Sequence, residues 1–295
     1  VPYPNPEEAA AFSLAIELGK QVDADLLLAT DPDADRLGVA VHSGDTYELL
    51  TGNQLGALLL HYILHTKQVD GTLPKNGVML KTIVTSELGT AIAKQFDVAT
   101  VNTLTGFKYI AEKIAEFEVS GEHSYVFGYE ESYGYLIETF VRDKDAVQVA
   151  LKVAEMAAYY TVQGKTLLHA LDELYEQYGY YQEALVSKMF EGKDGQEQMQ
   201  TILNSYREKL PTEIADVAVV RVEDYLTGVA TQHDGRRETI LLPRENVLKF
   251  ILEDQSWIAI RPSGTEPKCK FYFGVVKGSK EQATEAIERL KQYFA

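Results

Sequence analysis

One cysteine, Cys269, is all the thiol this chain has, so no disulfide can form within it and no cysteine-built metal centre is available. A reducing compartment, the cytoplasm, is the expected location. Basic residues are scarce beside acidic ones: 28 Lys and Arg stand against 44 Asp and Glu, a formal charge of −16. That balance argues against nucleic acid or an anionic membrane as partner, because such surfaces recruit stripes of lysine and arginine that displace counterions. It leaves room for a locally basic pocket that takes a small anion. No apolar run approaches the ~18 residues a membrane span needs, and the first eight residues are neither basic nor apolar enough for a signal peptide. Internal repeats and low-complexity segments are also missing. What remains is 295 residues, 45% apolar and 24% charged, enough for two or three folded units with ordinary cores.

Hydrophobic patterning then divides the chain. Asn5, Pro6, Glu7 and Glu8 have the chemistry of a helix start, which predicts a helix from there to about Val22. Short apolar runs at 26–29 and 37–41 read as strands that bracket an acidic loop. From Thr51 the pattern alternates, with helices predicted over 53–65, 86–96 and 107–117 and strands over 78–84, 99–104 and 124–127. Such alternation implies a mixed, mainly parallel α/β sheet domain. Helices over 146–162 and 167–178 follow, then a tyrosine-rich stretch containing Tyr175, Tyr178, Tyr180 and Tyr181, read as hinge packing. The last third clusters strands at 184–189, 217–222, 239–242, 247–252, 257–260 and 270–276, with helices near 195–209 and 280–294, which indicates a C-terminal α+β domain. The expected boundaries are 1–50, 51–165, a helical linker at 166–182, and 183–295.

Three loops carry chemistry. Thr30-Asp31-Pro32-Asp33-Ala34-Asp35-Arg36 follows a buried strand and places carboxylates at alternate positions, where they can converge on a hard cation. Mg²⁺ suits it, since that ion takes a few carboxylates and completes its octahedron with water or phosphate oxygen. A solvated acidic turn is the competing reading, though ligands of α/β sheets collect at strand ends and Arg36 adjoins as a phosphate partner. The second loop, Gly128-Tyr129-Glu130-Glu131-Ser132-Tyr133-Gly134-Tyr135, offers acceptors for sugar hydroxyls and rings for apolar sugar faces; taken alone, its composition favours a plain hairpin turn with exposed glutamates. The third, Arg261-Pro262-Ser263-Gly264-Thr265-Glu266-Pro267-Lys268, packs a guanidinium, two hydroxyls and a glycine between two strands, as a phosphate cradle does, against the alternative of an ordinary Ser-Gly turn.

Taken in this order, the three loops resemble the α-D-phosphohexomutase superfamily, specifically bacterial phosphoglucomutases and phosphomannomutases. The resemblance spans nearly the whole chain, although Pro32 and Ala34 stand where glycines are common in the family. It implies that Asp31, Asp33 and Asp35 bind Mg²⁺, one ion per active site, and that Glu130 and Ser132 contact sugar hydroxyls. Arg261, Ser263, Gly264 and Thr265 would hold the phosphate that is not reacting. Arg36 would sit beside the reacting phosphoryl group. Lys108, in Thr105-Gly106-Phe107-Lys108, is similar to a family lysine proposed as acid/base or phosphate contact, with a first-turn surface lysine as the alternative. The resemblance further implies a TATA-binding-protein-like last domain, a hexose phosphate substrate and a glucose 1,6-bisphosphate intermediate. The family's phosphoserine loop, similar to Thr-Ala-Ser-His-Asn-Pro, has no counterpart here: Ser13, Ser43 and Ser86 lack matching neighbours. The chain is therefore expected to be a C-terminal fragment, inactive alone, whose partner is the N-terminal phosphoserine domain of the same protein.

Glucose phosphate is the preferred substrate on this reading and mannose phosphate the next. Two other functions stay open. A haloacid-dehalogenase-like phosphotransferase would use Asp31 as nucleophile and Asp33 as acid; a noncatalytic module would bind sugar phosphate without turnover. His61 and His65 lie four apart on a predicted helix but lack a third ligand, and Cys269 reads as an inert buried thiol.

Overall fold

A computed structural model describes residues 3–190, 195–263 and 268–294. Its contacts divide the chain into two units, one ending at Tyr178 and the other beginning at Gly179.

The first unit opens differently from the sequence expectation. Asn5 does not cap a helix; its Oδ1 accepts from the Glu7 amide at 3.1 Å and closes a local turn. A 3₁₀ turn, Ala9–Phe12, follows, and helix α1 occupies only Ser13–Val22. Strands β1 (Leu26–Thr30), β2 (Leu37–Ser43) and β3 (Thr46–Leu50) form an antiparallel sheet in that order. β3 was not expected from the sequence; Gly44, at φ 59°, and Asp45 make the tight turn that permits it.

Helix α2 (Gly52–Val69) starts with a reciprocal capping box between Thr51 and Gln54. Then come β4 (Gly77–Thr82), α3 (Leu88–Gln95), β5 (Ala99–Thr103), α4 (Phe107–Ser120), β6 (Ser124–Tyr129) and β7 (Tyr135–Leu136). The sheet order is β5-β4-β6-β7, parallel except for β7. Every residue of β4 is buried, as a parallel strand covered on both faces requires. α4 sets Phe107, Ile110, Ile114 and Phe117 against Val78 and Leu80 of β4. α2 and α3 close on the Tyr129 ring through glycines: a Cβ on Gly56 or Gly89 would come within 2.2 or 2.4 Å of it. Helices α5 (Ala146–Val162) and α6 (Leu167–Tyr178) complete the unit.

The second unit is an antiparallel sheet with helices set aside. Its strands are β8 (Tyr180–Met189), β9 (Glu213–Ile214), β10 (Val217–Asp224), β11 (Val229–Gln232), β12 (Arg237–Thr239), β13 (Leu248–Leu252), β14 (Trp257–Pro262) and β15 (Lys268–Lys277). They run in the order β12-β11-β10-β13-β14-β15-β8, with β9 on β10. Helices α7 (Gly195–Glu208) and α8 (Lys280–Tyr293) contribute Leu203, Ala283, Ile287 and Leu290 to a core with Phe250, Ile258, Phe271 and Phe273. The strand expected at 239–242 ends at Thr239. Tyr180 and Tyr181 open β8 and pair with Lys277 and Val276. Among the described residues no helix is long and apolar enough to cross a membrane.

Candidate active site

β1 ends at Thr30 and the chain must reverse into β2, so the acidic loop is a connection under tight geometric demand. Ala34 takes φ 56°, in the left-handed region. Asp31 Oδ1 accepts from the amides of Asp35 and Arg36, each at 3.0 Å, and fixes the turn. One carboxylate oxygen from each of Asp31, Asp33 and Asp35 lies within 4.8 Å of the others, and among the described residues this is the only such group of three or more His, Cys, Asp or Glu. An all-oxygen donor set of that span fits a hard divalent cation. The pair Asp31 and Asp35 is split electrostatically. Burial pushes both up, but the amides of Arg36 and Asp35 win at Asp31 and hold it below the usual value, whereas burial prevails at Asp35 despite its Lys144 partner. Arg36 donates from Nη1 to Glu7 Oε1 at 3.0 Å, and its Nε lies 4.0 and 3.9 Å from the carboxylates of Asp31 and Asp35.

The second loop meets the first. Arg36 forms an antiparallel bridge with Gly134, and the Leu37 amide donates to Tyr133 carbonyl at 3.0 Å. The Ala146 amide donates to Ala34 carbonyl at 3.0 Å, so the start of α5 is stitched to the same turn. Within the second loop the Glu130 amide donates to Gly134 carbonyl at 2.8 Å and Tyr133 takes φ 65°. Glu130 is buried, 7% exposed, and its Oε1 accepts from the Gly106 amide at 2.8 Å. Burial first, then the neighbouring Glu131, pushes its carboxyl up to about 7, against the pull of Gly106, Lys144 and Arg36. Glu131 turns inward and accepts from the hydroxyls of Thr82 and Thr85 at 3.2 and 3.0 Å. Ser132 is half-buried beside it.

The structure thus brings together Asp31, Asp33, Asp35, Arg36 and Glu130 in the first unit. It places Lys108 less centrally: the side chain is exposed on the first turn of α4, with Nζ 4.6 Å from the Tyr109 ring centroid. Two lysines escaped the sequence reading. Lys144 Nζ lies 2.8 Å from Asp35 Oδ2 and 3.1 Å from Asp143 Oδ1. In sequence it sits in the mixed-charge run 142–145, which looks solvated; the signal was Asp145, whose side chain caps α5 by accepting from the amides of Val147 and Gln148. Lys81 is fully buried in β4, with Nζ 2.9 Å from Glu87 Oε1 and 3.1 Å from Thr85 carbonyl. A lysine inside an otherwise apolar strand was the cue for it.

In the second unit, the third loop joins β14 to β15. Arg261 pairs with Lys270 in register, and the Ser263 amide donates to Lys268 carbonyl at 2.7 Å. The Arg261 side chain is 35% exposed, its Nε 3.9 Å from Glu245 Oε2. Gly264 and Thr265 lie outside the described residues. Cys269 is buried and burial pushes its thiol up to about 12, leaving no reactive thiolate. His61 and His65 stack at 6.2 Å, His65 Nε2 is 3.1 Å from the Tyr159 hydroxyl, and burial depresses His61 to about 4.

Two loops at strand ends thus meet in one α/β unit: a turn whose three carboxylates are spaced to share a hard divalent cation, and a turn that carries the buried Glu130. Family models match in the same order along the chain: Phosphoglucomutase/phosphomannomutase, alpha/beta/alpha domain II over residues 1–44, alpha/beta/alpha domain III over 51–178, and the C-terminal domain over 203–291. The chain belongs to this phosphoglucomutase/phosphomannomutase family of the α-D-phosphohexomutase superfamily. It is 41% identical, over 96% of its length, to a phosphoglucomutase of Staphylococcus haemolyticus, of which it covers 51%. It is 42% identical, over 91% of its length, to one of Staphylococcus aureus, of which it covers 48%. The chain spans about half the length of the curated relatives it matches. In fold it is similar to pp63/parafusin, a phosphoglucomutase of Paramecium, in an open form: TM-score 0.65 at 16% identity, over 98% of this chain and 49% of that one. It is also similar to a phosphoglucomutase/phosphomannomutase family protein of Burkholderia thailandensis, with TM-score 0.63 at 15% identity over 99% of this chain and 51% of that one. Membership argues against the aspartyl-nucleophile alternative, and Asp31 Oδ1 is already occupied by two amides.

Proposed function

We propose that these residues supply the metal, sugar and phosphate contacts of a phosphoglucomutase that interconverts glucose 1-phosphate and glucose 6-phosphate in the cytoplasm. The observation that carries this reading is the seam between the first two loops, where the Arg36–Gly134 bridge joins the acidic turn, whose three carboxylates lie close enough to share a cation, to the turn that carries the buried Glu130. Phosphoryl transfer to a sugar hydroxyl needs that juxtaposition, because its catalysis is mostly positioning and charge neutralisation. The identity to staphylococcal phosphoglucomutases supports glucose over mannose phosphate.

One Mg²⁺ held by Asp31, Asp33 and Asp35 would offset negative charge on the transferring group. Glu130, poised near neutrality, accepts from or donates to a sugar hydroxyl, and Ser132 adds a second hydroxyl partner. Arg36 and Lys108 face the reacting phosphoryl group, while Arg261, Ser263, Gly264 and Thr265 hold the other phosphate. A phosphoserine from the N-terminal domain of the same protein passes its phosphoryl group to one sugar hydroxyl, whose proton leaves to a base. The resulting glucose 1,6-bisphosphate turns round, and its other phosphate returns to the serine.

The test is complementation. This chain is mixed with the half of the S. haemolyticus phosphoglucomutase that it does not cover, or fused to it, and assayed with glucose 1-phosphate, mannose 1-phosphate and Mg²⁺. Turnover of glucose 1-phosphate that disappears with Asp31→Asn supports the reading. Sugar-phosphate binding without turnover in both formats supports a noncatalytic module instead, and preference for mannose 1-phosphate moves the substrate.

A further inference from the structure

We infer that Glu131 is the positioning residue of loop 128–135: latched inside the fold on the hydroxyls of Thr82 and Thr85, it fixes the direction in which its neighbour Glu130 presents a carboxylate to the hexose phosphate, without contacting that sugar itself. The role rests on the function proposed above, which gives Glu130 a hydroxyl to bind and Glu131 none.

β5, β4 and β6 lie side by side and parallel, so their carboxyl ends open on one edge of the sheet. Two consecutive side chains after β6 reach back along that edge to the ends of the other two strands. Glu130 Oε1 accepts from the Gly106 amide at 2.8 Å, at the N-cap of α4 beyond β5. Glu131 Oε2 accepts from Thr82, the last residue of β4, at 3.2 Å, and from Thr85 at 3.0 Å. Both threonines are fully buried, and their hydroxyl oxygens lie 2.8 Å apart. Such a pair can share one of its two protons; the second needs an outside acceptor, and Glu131 supplies it. The backbone of the turn is held from the side of α2. A Cβ at Gly52 would lie 2.1 Å from the Glu131 carbonyl oxygen and 2.9 Å from the Tyr133 nitrogen.

Cohesion of the sheet does not call for this latch. The β4–β6 ladder already runs as far as Lys81 and Tyr129, and Glu131 lies two residues beyond it. Nor do the threonines call for a charge, since a glutamine oxygen would accept from the same hydroxyls. The charge acts on Glu130, which burial first and Glu131 next push up to about 7. The Gly106 amide from the head of α4, Lys144 and Arg36 face the same carboxyl and pull the other way. A second carboxylate set against a buried one costs stability, and its return is a recognition group held in one pose before the ligand arrives.

Three variants separate the latch from the charge. Glu131→Ala removes both; Glu131→Gln keeps the oxygen and removes the charge; Thr85→Val weakens the latch from the opposite side and keeps the charge. In this chain alone, exchange of the Gly106 amide should be about tenfold faster in Glu131→Ala and Thr85→Val, and within about twofold of wild type in Glu131→Gln. The Ile114 amide, further along α4, should not change in any of them. Carboxyl ¹³C titration should place the Glu130 midpoint lower in Glu131→Gln than in wild type, moved from about 7 toward 4.5. In the fusion with the uncovered half of the S. haemolyticus relative, Glu131→Ala should raise KM for glucose 1-phosphate about tenfold and change kcat by less than about threefold, as loss of uniform binding does, and Glu131→Gln should restore KM at pH 6. Unchanged Gly106 exchange in Glu131→Ala and Thr85→Val, or an equal acceleration at Ile114, overturns the assignment. So does an unmoved Glu130 midpoint in Glu131→Gln, or an unaltered KM in a Glu131→Ala fusion that turns over. A latch that responds as stated in a fusion without turnover or glucose 1-phosphate binding would count against the mutase reading and leave the hold of Glu131 on Glu130 standing.

Discussion

Replacing Glu130 with glutamine tests the electrostatics of the site most directly. The carboxyl is buried and raised from 4.5 to about 7, so the folded chain holds this proton more tightly than the unfolded one. Its contribution to stability is fully present below pH 4.5 and is lost as pH rises through 7. At about 1.4 kcal/mol per pH unit, the raised value corresponds to about 3 kcal/mol, most of it lost between pH 5 and 8. A glutamine side chain at this position would be the same size, would still offer an oxygen to the Gly106 amide, and would carry no charge to desolvate. Glu130→Gln should therefore stabilise the first unit relative to wild type by about 2–3 kcal/mol more at pH 8 than at pH 5. Hydrogen exchange of residues 124–136, with the two proteins compared at each pH so that intrinsic exchange rates cancel, measures this. On the proposed function the same variant binds glucose 1-phosphate at least tenfold more weakly at pH 8, a gain in stability set against a loss in recognition. An identical wild-type-to-variant difference at the two pH values would refute the argument that burial controls this carboxylate.

Three further outcomes follow from the same geometry. Lys144→Met removes a cation 2.8 Å from Asp35 and should tighten Mn²⁺ binding several-fold by titration calorimetry; unchanged or weaker binding would mean the ammonium does not compete for that carboxylate. Gly52→Ala puts a Cβ 2.1 Å from the Glu131 carbonyl oxygen, backbone that cannot swing aside, so it should cost about 2 kcal/mol in denaturant titration. A variant as stable as wild type would show the turn to be yielding. Ala34→Gly relieves a left-handed alanine while loosening the unfolded chain, and the balance should be a gain of about 0.5–1 kcal/mol; Ala34→Val should lose stability instead.

Periodicity located most of the elements because burial repeats along them. α5 and α6 were legible to the residue, and the predicted strands of the parallel sheet matched within a few positions. The misses have local causes. Asn5 spends its side chain on a turn rather than a cap, β3 is interrupted by exposed Thr46 and Glu48 and so shows no apolar run, and β7, at two residues, is too short to show a period. Lys144 was missed because a charged run looks the same whether solvated or folded against a carboxylate, and the one local signal, the α5 cap Asp145, marks a helix start rather than an ion pair. The sequence made Glu130 and Ser132 expected hydroxyl partners, yet the inward turn of Glu131 onto Thr82 and Thr85 depends on groups 46 to 49 residues away.

The amino-acid order alone determined the residue types at each loop, their succession along the chain, and the family they resemble, because donor chemistry and hydrophobic period are properties of neighbours in sequence. Only the tertiary structure decided that the acidic turn abuts loop 128–135, that Glu130 is buried deeply enough to hold its proton near neutrality, and that Lys144 reaches Asp35. Those are consequences of which surfaces exclude water and which strands find partners, and both are set by contacts between residues far apart in the chain.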